Sequence, residues 1–128
     1  MHVVHMSQLT PQRNTGDLFN GEVHSQMMVD ESMSQNLRLN LVKFSAGGRT
    51  RWHTHSFEQG LIIVEGRGIV ATEVGEQVVQ PGDVVFVPAN EKHWHGGGET
   101  SGMAHIAING VGETTALEPV EAVRTPGV

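Results

Sequence analysis

The sequence predicts an all-β protein, a small sandwich or barrel of short strands. Three observations point to this class. Apolar residues recur with a period of two or in short β-branched runs, glycine accounts for 16 of 128 residues, and turn dipeptides separate the runs at regular intervals. No stretch keeps the longer apolar period of a helix, so we expect strands joined by tight turns throughout.

The strands are predicted in order from residue 37 onward. Leu37, Leu39 and Leu41 alternate with more polar neighbours, which is typical of a half-buried strand. Turn signals such as Pro81-Gly82-Asp83 and Asn109-Gly110 follow the later runs. Those later runs are residues 61–64, 70–74, 78–79, 84–87 and 103–108.

Composition excludes several classes of function. Eight basic against 14 acidic residues give a net charge of −6, which argues against a nucleic-acid partner. The absence of cysteine removes disulfides, thiolate metal sites and a cysteine nucleophile. No apolar run approaches the roughly 20 residues of a membrane span, and residues 1–12 do not resemble a signal peptide. We therefore expect a cytoplasmic protein without a membrane partner.

Five of the eight histidines are clustered and predict a metal site. His53 and His55 form one H-x-H pair, His93 and His95 form a second pair 40 residues on, and His105 follows. Residues i and i+2 of a strand share a face, so each pair directs two imidazoles to one side. Two such pairs on adjacent strands would hold a metal in place. The other three, His2, His5 and His24, have no assigned role.

Two segments resemble the motifs of the cupin family. The first segment has Gly47, His53, His55, Gln59 and Gly66 at the family's spacing, and the second has Gly82, Pro88 and His93. Together they cover roughly residues 40–110. The resemblance implies a cupin double-stranded β-helix, or jelly-roll barrel, with the metal inside. It implies a single cupin domain over residues 1–128, with the barrel core at about 38–110 and an arm at each end.

The fourth ligand position departs from the family pattern. Gln59 stands where cupins usually have a glutamate, and its neighbour Glu58 would face the opposite side of a strand. We expect Gln59 to ligate through its carbonyl oxygen, the alternative being that Glu58 swings in. Asn90 stands where the second motif often has glycine, which we expect to affect only turn geometry.

The whole constellation is similar to the small bacterial cupin-type hydroxynitrile lyases, which are manganese proteins with three histidines and one glutamine. This resemblance implies manganese, with iron, nickel or zinc as alternatives, and a small-molecule substrate. It implies that the metal is held by His53, His55, Gln59 and His93. The implied substrate cavity contains Asn40, Val42, Thr50, Met103 and Asn109, beside His95 and His105. Asn40 and Asn109 depart from the residues expected, which affects substrate shape.

The ligand chemistry favours a Lewis-acid role. Three neutral imidazoles and a neutral amide leave the +2 charge of a divalent ion uncompensated, which suits stabilisation of an alkoxide. This role agrees with the reaction that the resemblance implies, in which a cyanohydrin such as mandelonitrile is cleaved to a carbonyl compound and cyanide, and with the reverse addition. His105 is the expected general base and His95 the group on the cyanide side, because imidazole ordinarily titrates near neutral pH.

Two other functions stay open, along with the state of assembly. Similar histidine-rich sites occur in cupin dioxygenases that use iron and O₂, and a cupin can also be a non-catalytic, metal-dependent binder of small molecules. The resemblance implies a homodimer or homotetramer. The weakly patterned N-terminal arm is a candidate to cover an exposed strand edge on a neighbouring subunit.

Overall fold

The computed structural model describes residues 1–128, and these form two antiparallel sheets that face each other. Thirteen strands follow one 3-10 turn at Met6–Gln8, and no helix is long and apolar enough to cross a membrane. The strands are β1 (Gln12–Arg13), β2 (Phe19–Asn20), β3 (Val23–Val29), β4 (Arg38–Phe44), β5 (Arg49–Thr50), β6 (His53–His55), β7 (Gln59–Gly66), β8 (Gly68–Thr72), β9 (Gly75–Val79), β10 (Val84–Val87), β11 (His93–Gly97), β12 (Met103–Asn109) and β13 (Thr114–Ala116).

The connectivity brings strands that are distant in sequence side by side. The first sheet has the order β1-β3-β4-β12-β7-β10. In the second sheet β11 is central and pairs with β5, β6 and β8, while β2, β9 and β13 extend it. This arrangement is a jelly-roll barrel, and the predicted all-β class is confirmed. It also places the two H-x-H strands next to each other, with His93 opposite His53.

The interior of the barrel contains an apolar cluster at one end. Alternation along the strands turns every second side chain inward, so that Val42 and Phe44 of β4 meet Ile63 of β7. Val23 of β3 belongs to the same cluster and is fully buried, although β3 lies outside the expected core of 38–110. The remaining members are Val79 and Met103.

The C-terminal segment covers the outer side of the second sheet of its own chain. Val120 and Val128 pack with Ile69 and Trp94 in a second apolar cluster. Two arginines hold this segment in place. Arg51 Nε donates to Leu117 O at 2.6 Å, and Arg49 Nη2 donates to Val120 O at 3.2 Å. The side chains of both arginines therefore bind backbone carbonyls of the C-terminal segment.

Local differences from the sequence prediction have simple causes. The run 70–74 ends early, because Thr72 pairs with Gly75 and leaves Val74 at the tip of a two-residue hairpin, where it is 98% exposed. The loop before β11 contains Asn90 at φ +67°, a left-handed conformation that asparagine tolerates better than most residues. Its N–H donates to His55 O at 2.7 Å, which ties this loop to β6.

Candidate metal centre

Three buried imidazoles converge inside the barrel. His53 and His55 come from β6 and His93 from the adjacent strand β11, and all three are at most 5% exposed. Their nearest ring nitrogens all lie within 4.8 Å of one another. We call these three side chains the trihistidine group. The H-x-H spacing produces it, because both histidines of β6 point to the same face of the strand.

Each imidazole of the trihistidine group is oriented through its Nδ1 atom. His53 Nδ1 donates to Arg51 O and His93 Nδ1 donates to Glu91 O, both at 2.8 Å. His55 Nδ1 lies 3.0 Å from Thr114 Oγ1 of β13. With Nδ1 engaged, Nε2 remains as the atom for a metal, and His93 Nε2 is indeed buried without a partner. Sequence reasoning missed Thr114, since nothing in the sequence relates it to a residue 59 positions away.

Gln59 is placed beside the trihistidine group, whereas Glu58 is exposed. Gln59 is 4% exposed, and its Oε1 lies 3.2 Å from His55 Nε2. The site therefore offers three imidazole nitrogens and one amide oxygen, all from neutral groups. Such a mixed nitrogen and oxygen set suits a divalent ion of intermediate hardness. An orphaned Nε2 atom and an oxygen beside it fit a bound metal, and the trihistidine group could hold one.

A second pair of histidines lies next to the trihistidine group. His105 Nε2 and His95 Nδ1 are 3.0 Å apart and share one hydrogen, and both residues are at most 5% exposed. The ring of His95 is 5.4 Å from that of His53 and 5.6 Å from that of His93. His95 thus lies between the trihistidine group and His105. The two outer nitrogens, His95 Nε2 and His105 Nδ1, are buried without partners.

Burial keeps these imidazoles neutral. Desolvation, reinforced by the neighbouring His93, lowers the pKa of His53 to about 3 and that of His55 to about 4. Desolvation also lowers the pKa of His105 to about 4 and that of His95 well below the usual value. Burial thus places the pKa values of His95 and His105 below the ordinary imidazole value, on which their expected roles in proton transfer were based.

The five residues expected to line a substrate cavity have different environments. Thr50 is buried, and its Oγ1 accepts a hydrogen bond from the backbone N–H of His95 at 3.2 Å. Val42 and Met103 belong to the apolar cluster, and Val42 is the cross-strand neighbour of His105. Asn40 Oδ1 is buried without a partner, and Asn109 Oδ1 accepts a hydrogen bond from Gln59.

A cavity of about 150 Å³ is lined in part by His93 and His95. It lies between β8, β10 and β11, and none of the five expected cavity residues lines it. The sequence analysis did not identify the apolar residues that line this cavity, although the alternation along these strands could have predicted which side chains face inward. That lining includes Leu61, Val70, Val85 and Val87.

Fold and site together define a class of protein: a small antiparallel β-barrel with a buried trihistidine group that could hold a divalent metal. The family model described as cupin domain matches residues 40–109. The chain belongs to the cupin domain family, and the resemblance seen in its two motifs is confirmed.

Three relatives show the range within this family. The (R)-mandelonitrile lyase of Granulicella tundricola is 47% identical over 68 residues, which are 52% of this chain and 52% of the lyase. Acireductone dioxygenase 1 of Pectobacterium atrosepticum is 40% identical over 60 residues, 44% of this chain and 35% of the dioxygenase. The matches thus span about half the length of these curated relatives or less. The crystal structure of a cupin-like protein from Thermotoga maritima has a TM-score of 0.82 at 31% identity, covering 88% of this chain and 89% of that one.

Proposed function

We propose that this protein is a metal-dependent lyase of the hydroxynitrile type, which cleaves a cyanohydrin such as mandelonitrile to an aldehyde and cyanide and catalyses the reverse addition. The observation that carries the proposal is the neutral donor set. Three imidazoles and the amide of Gln59 converge where cupins usually add a carboxylate. The 47% identity to a mandelonitrile lyase over half the chain supports the same reaction class.

The residues that would hold the ion are His53, His55, His93 and Gln59, and we propose manganese, with iron, nickel or zinc as alternatives. When bound, a divalent ion supplies Lewis-acid stabilisation of the negative charge that develops on the substrate oxygen. The protein's part is to keep all four donors neutral. Burial does this for the imidazoles by lowering the pKa of His53 and His55 well below neutral pH.

His95 and His105 carry the proton of the reaction as one hydrogen-bonded pair. The pair accepts the hydroxyl proton, the O–H electrons form the C=O bond, and the C–C bond to the nitrile breaks with its electrons on cyanide. The pair then returns the proton to cyanide and releases HCN. Because His95 lies nearer the trihistidine group, we assign it the contact with substrate. His105 then acts through His95, which reverses the order of roles expected from the sequence.

The proposal is tested by elemental analysis of the purified protein together with an assay of benzaldehyde release from mandelonitrile. We expect a bound divalent metal and release of benzaldehyde above the rate in buffer. Protein that contains the metal but releases no benzaldehyde would refute the lyase.

A dioxygenase is the second candidate, and the similarity to an acireductone dioxygenase favours it. Oxygen uptake by the iron-loaded protein in the presence of a diketone or a thiol discriminates between the two functions. An electrode that records no oxygen consumption removes the dioxygenase, whereas rapid uptake without benzaldehyde release from mandelonitrile removes the lyase.

We further propose that the chain forms a homodimer or homotetramer, with a second copy covering the outer face of the first sheet. Strand β10 is an edge strand, and its Val84 and Phe86 are 72% and 61% exposed. Two uncharged cross-strand rows continue from them over the face. One row is Val84, Ile62 and Ile106, and it ends at Leu41, which its own chain already buries at 3% exposure. The other row is Phe86, Gly60, Ile108 and Leu39. Antiparallel pairing of β10 with the same strand of a second copy would continue both rows across a two-fold axis.

A further inference from the structure

The side-chain amide of Gln59 has two chemically different ends, and only one of them suits a cation. Gln59 Oε1 lies 3.2 Å from His55 Nε2, beside the trihistidine group. The oxygen end accepts and coordinates, whereas the NH₂ end only donates. A half-turn of this amide would replace the fourth ligand atom by a pair of N–H donors. A bound metal therefore requires that a neighbouring group fix the orientation of the Gln59 amide.

Asn109 is in contact with the other end of this amide. Gln59 Nε2 donates to Asn109 Oδ1 at 2.9 Å, and the contacts to His55 and Asn109 are the only side-chain hydrogen bonds that Gln59 makes. The two amides are direct cross-strand neighbours, because Gln59 begins β7 and Asn109 ends β12 in register. Side chains in such a pair leave the sheet on the same face, about 5 Å apart.

Burial of Gln59 makes the loss of this hydrogen bond costly. Gln59 is 4% exposed, so water does not readily replace an acceptor that is removed from its NH₂ group. When Asn109 is removed, the remaining side-chain acceptor beside this amide is His55 Nε2, so the NH₂ group regains a hydrogen bond by turning toward it. That turn withdraws the oxygen from the trihistidine group.

We infer that Asn109 is a positioning residue, which fixes the amide of Gln59 with its oxygen toward the trihistidine group and so maintains the fourth ligand of the metal. This inference rests on the proposed metal site and goes beyond it. It replaces the role in substrate contact that the sequence suggested for Asn109. Residue 109 must then provide a hydrogen-bond acceptor wherever residue 59 is glutamine.

The test measures the affinity of the metal-stripped protein for Mn²⁺ alone, by competition with a chelator. Asn109→Leu and the smaller Asn109→Ala remove the acceptor, whereas Asn109→Asp retains one. Asn14→Leu is the matched control, since it deletes an amide that binds Ser25 Oγ at 3.0 Å in β3, a strand that contributes no ligand. Thermal unfolding of each variant establishes that it is folded.

Loss of a residue that orients a metal ligand typically costs 10- to 100-fold in metal affinity, and we expect that loss for Asn109→Leu and Asn109→Ala. We expect Asn109→Asp to bind Mn²⁺ at least as tightly as the wild type, and Asn14→Leu to match it. Wild-type affinity in the alanine and leucine variants overturns the inference. So does an equal loss in the aspartate variant, because the acceptor would then not be the cause.

A readout without metal separates this inference from the proposed function. In ¹⁵N spectra of the metal-free protein, the side-chain NH₂ group of Gln59 is expected to exchange slowly with solvent in the wild type and in Asn109→Asp, and rapidly in Asn109→Ala. If the wild type binds no Mn²⁺, the proposed metal site is wrong, and this spectrum alone decides the role of Asn109. Equal protection in all three proteins overturns that role.

Discussion

At the scale of single residues, the pair formed by His95 and His105 is the most direct place to examine the proposed proton transfer. General acid–base groups typically contribute about 10²- to 10⁴-fold to a rate. We expect His105→Ala to lower benzaldehyde release from mandelonitrile within that range while Mn²⁺ affinity is retained, because His105 is not a ligand. His105→Gln, which fills the same space, guards against a folding defect. Wild-type rates in both variants would remove His105 from the reaction.

The buried imidazoles also set the acid stability of the metal-free protein. Burial lowers the pKa of His53 to about 3 and that of His105 to about 4, whereas an unfolded imidazole titrates near 6.5. Below about pH 6.5 the unfolded chain therefore binds more protons than the folded chain, and the free energy of unfolding falls as the pH falls toward about 4. Urea unfolding at several pH values in this window measures the slope. A free energy that does not change with pH would show that these rings are solvated.

The candidate ligands could be predicted from the sequence, whereas the residues that orient them could not. The histidines and Gln59 stand out in the sequence because motif spacing and a period of two place them on one face. The partners that orient them do not stand out. Thr114 and Asn109 reach His55 and Gln59 through strand pairing over separations of 59 and 50 residues, and local patterns carry no information about that pairing.

At the scale of elements, β11 approaches its neighbours closely because it contains glycine at critical points. A Cβ atom at Gly96 would lie 2.4 Å from Arg49 Cβ and 2.6 Å from Gly48 O, so Gly96→Ala must push β11 away from β5. Overpacking of this kind typically costs about 1–3 kcal/mol, and we expect that loss in the free energy of unfolding.

The matched control for this substitution is Gly75→Ala. No atom lies within 4 Å of a Cβ built at Gly75, so we expect its free energy of unfolding to stay within about 0.5 kcal/mol of the wild type. Denaturant unfolding of both variants checks the pair. Equal stabilities would mean that β11 and β5 can separate without cost.

The strands that sequence reasoning found and those it missed differ in pattern. Strands β10 and β12 coincide closely with the apolar runs 84–87 and 103–108, whereas β7 extends two residues beyond the run 61–64 at each end. Strand β3 contains polar residues within Val23–Val29, and β13 has only three residues, so neither shows an alternation above the background. Both segments have only a weak local preference for strand structure. They form strands because neighbouring strands pair with them.

At the scale of the whole molecule, the exposed apolar face predicts self-association. Phe86→Glu places a charge on this face within the edge strand β10, so we expect it to shift the protein toward monomer in light scattering coupled to gel filtration. Val74→Glu, at an exposed hairpin tip, is the control and should leave the mass unchanged. A wild-type protein that is monomeric at high concentration, or a dimer that persists in Phe86→Glu, would contradict the proposed interface.

In the barrel as a whole, the apolar cluster and the site adjoin each other. The ring of Phe44 in the cluster lies 5.9 Å from that of His95 and 5.4 Å from that of His105, while Gln59 and Asn109 lie farther along, where β7 begins and β12 ends. The cluster and the site share the same strands, so the packing that stabilises the fold also fixes the register of the site. Burial in this interior keeps the imidazole donors neutral before any ion arrives.

The most direct measurement of the central claim is a titration of metal-stripped protein with Mn²⁺, in which benzaldehyde release from mandelonitrile is recorded at each addition. We predict no activity without metal, a linear rise, and a plateau at one ion per chain. His93→Ala should stay inactive throughout, since it removes one of the three imidazoles. Activity that is independent of added and residual metal, or metal binding at one ion per chain without benzaldehyde release, would contradict a metal-dependent hydroxynitrile lyase.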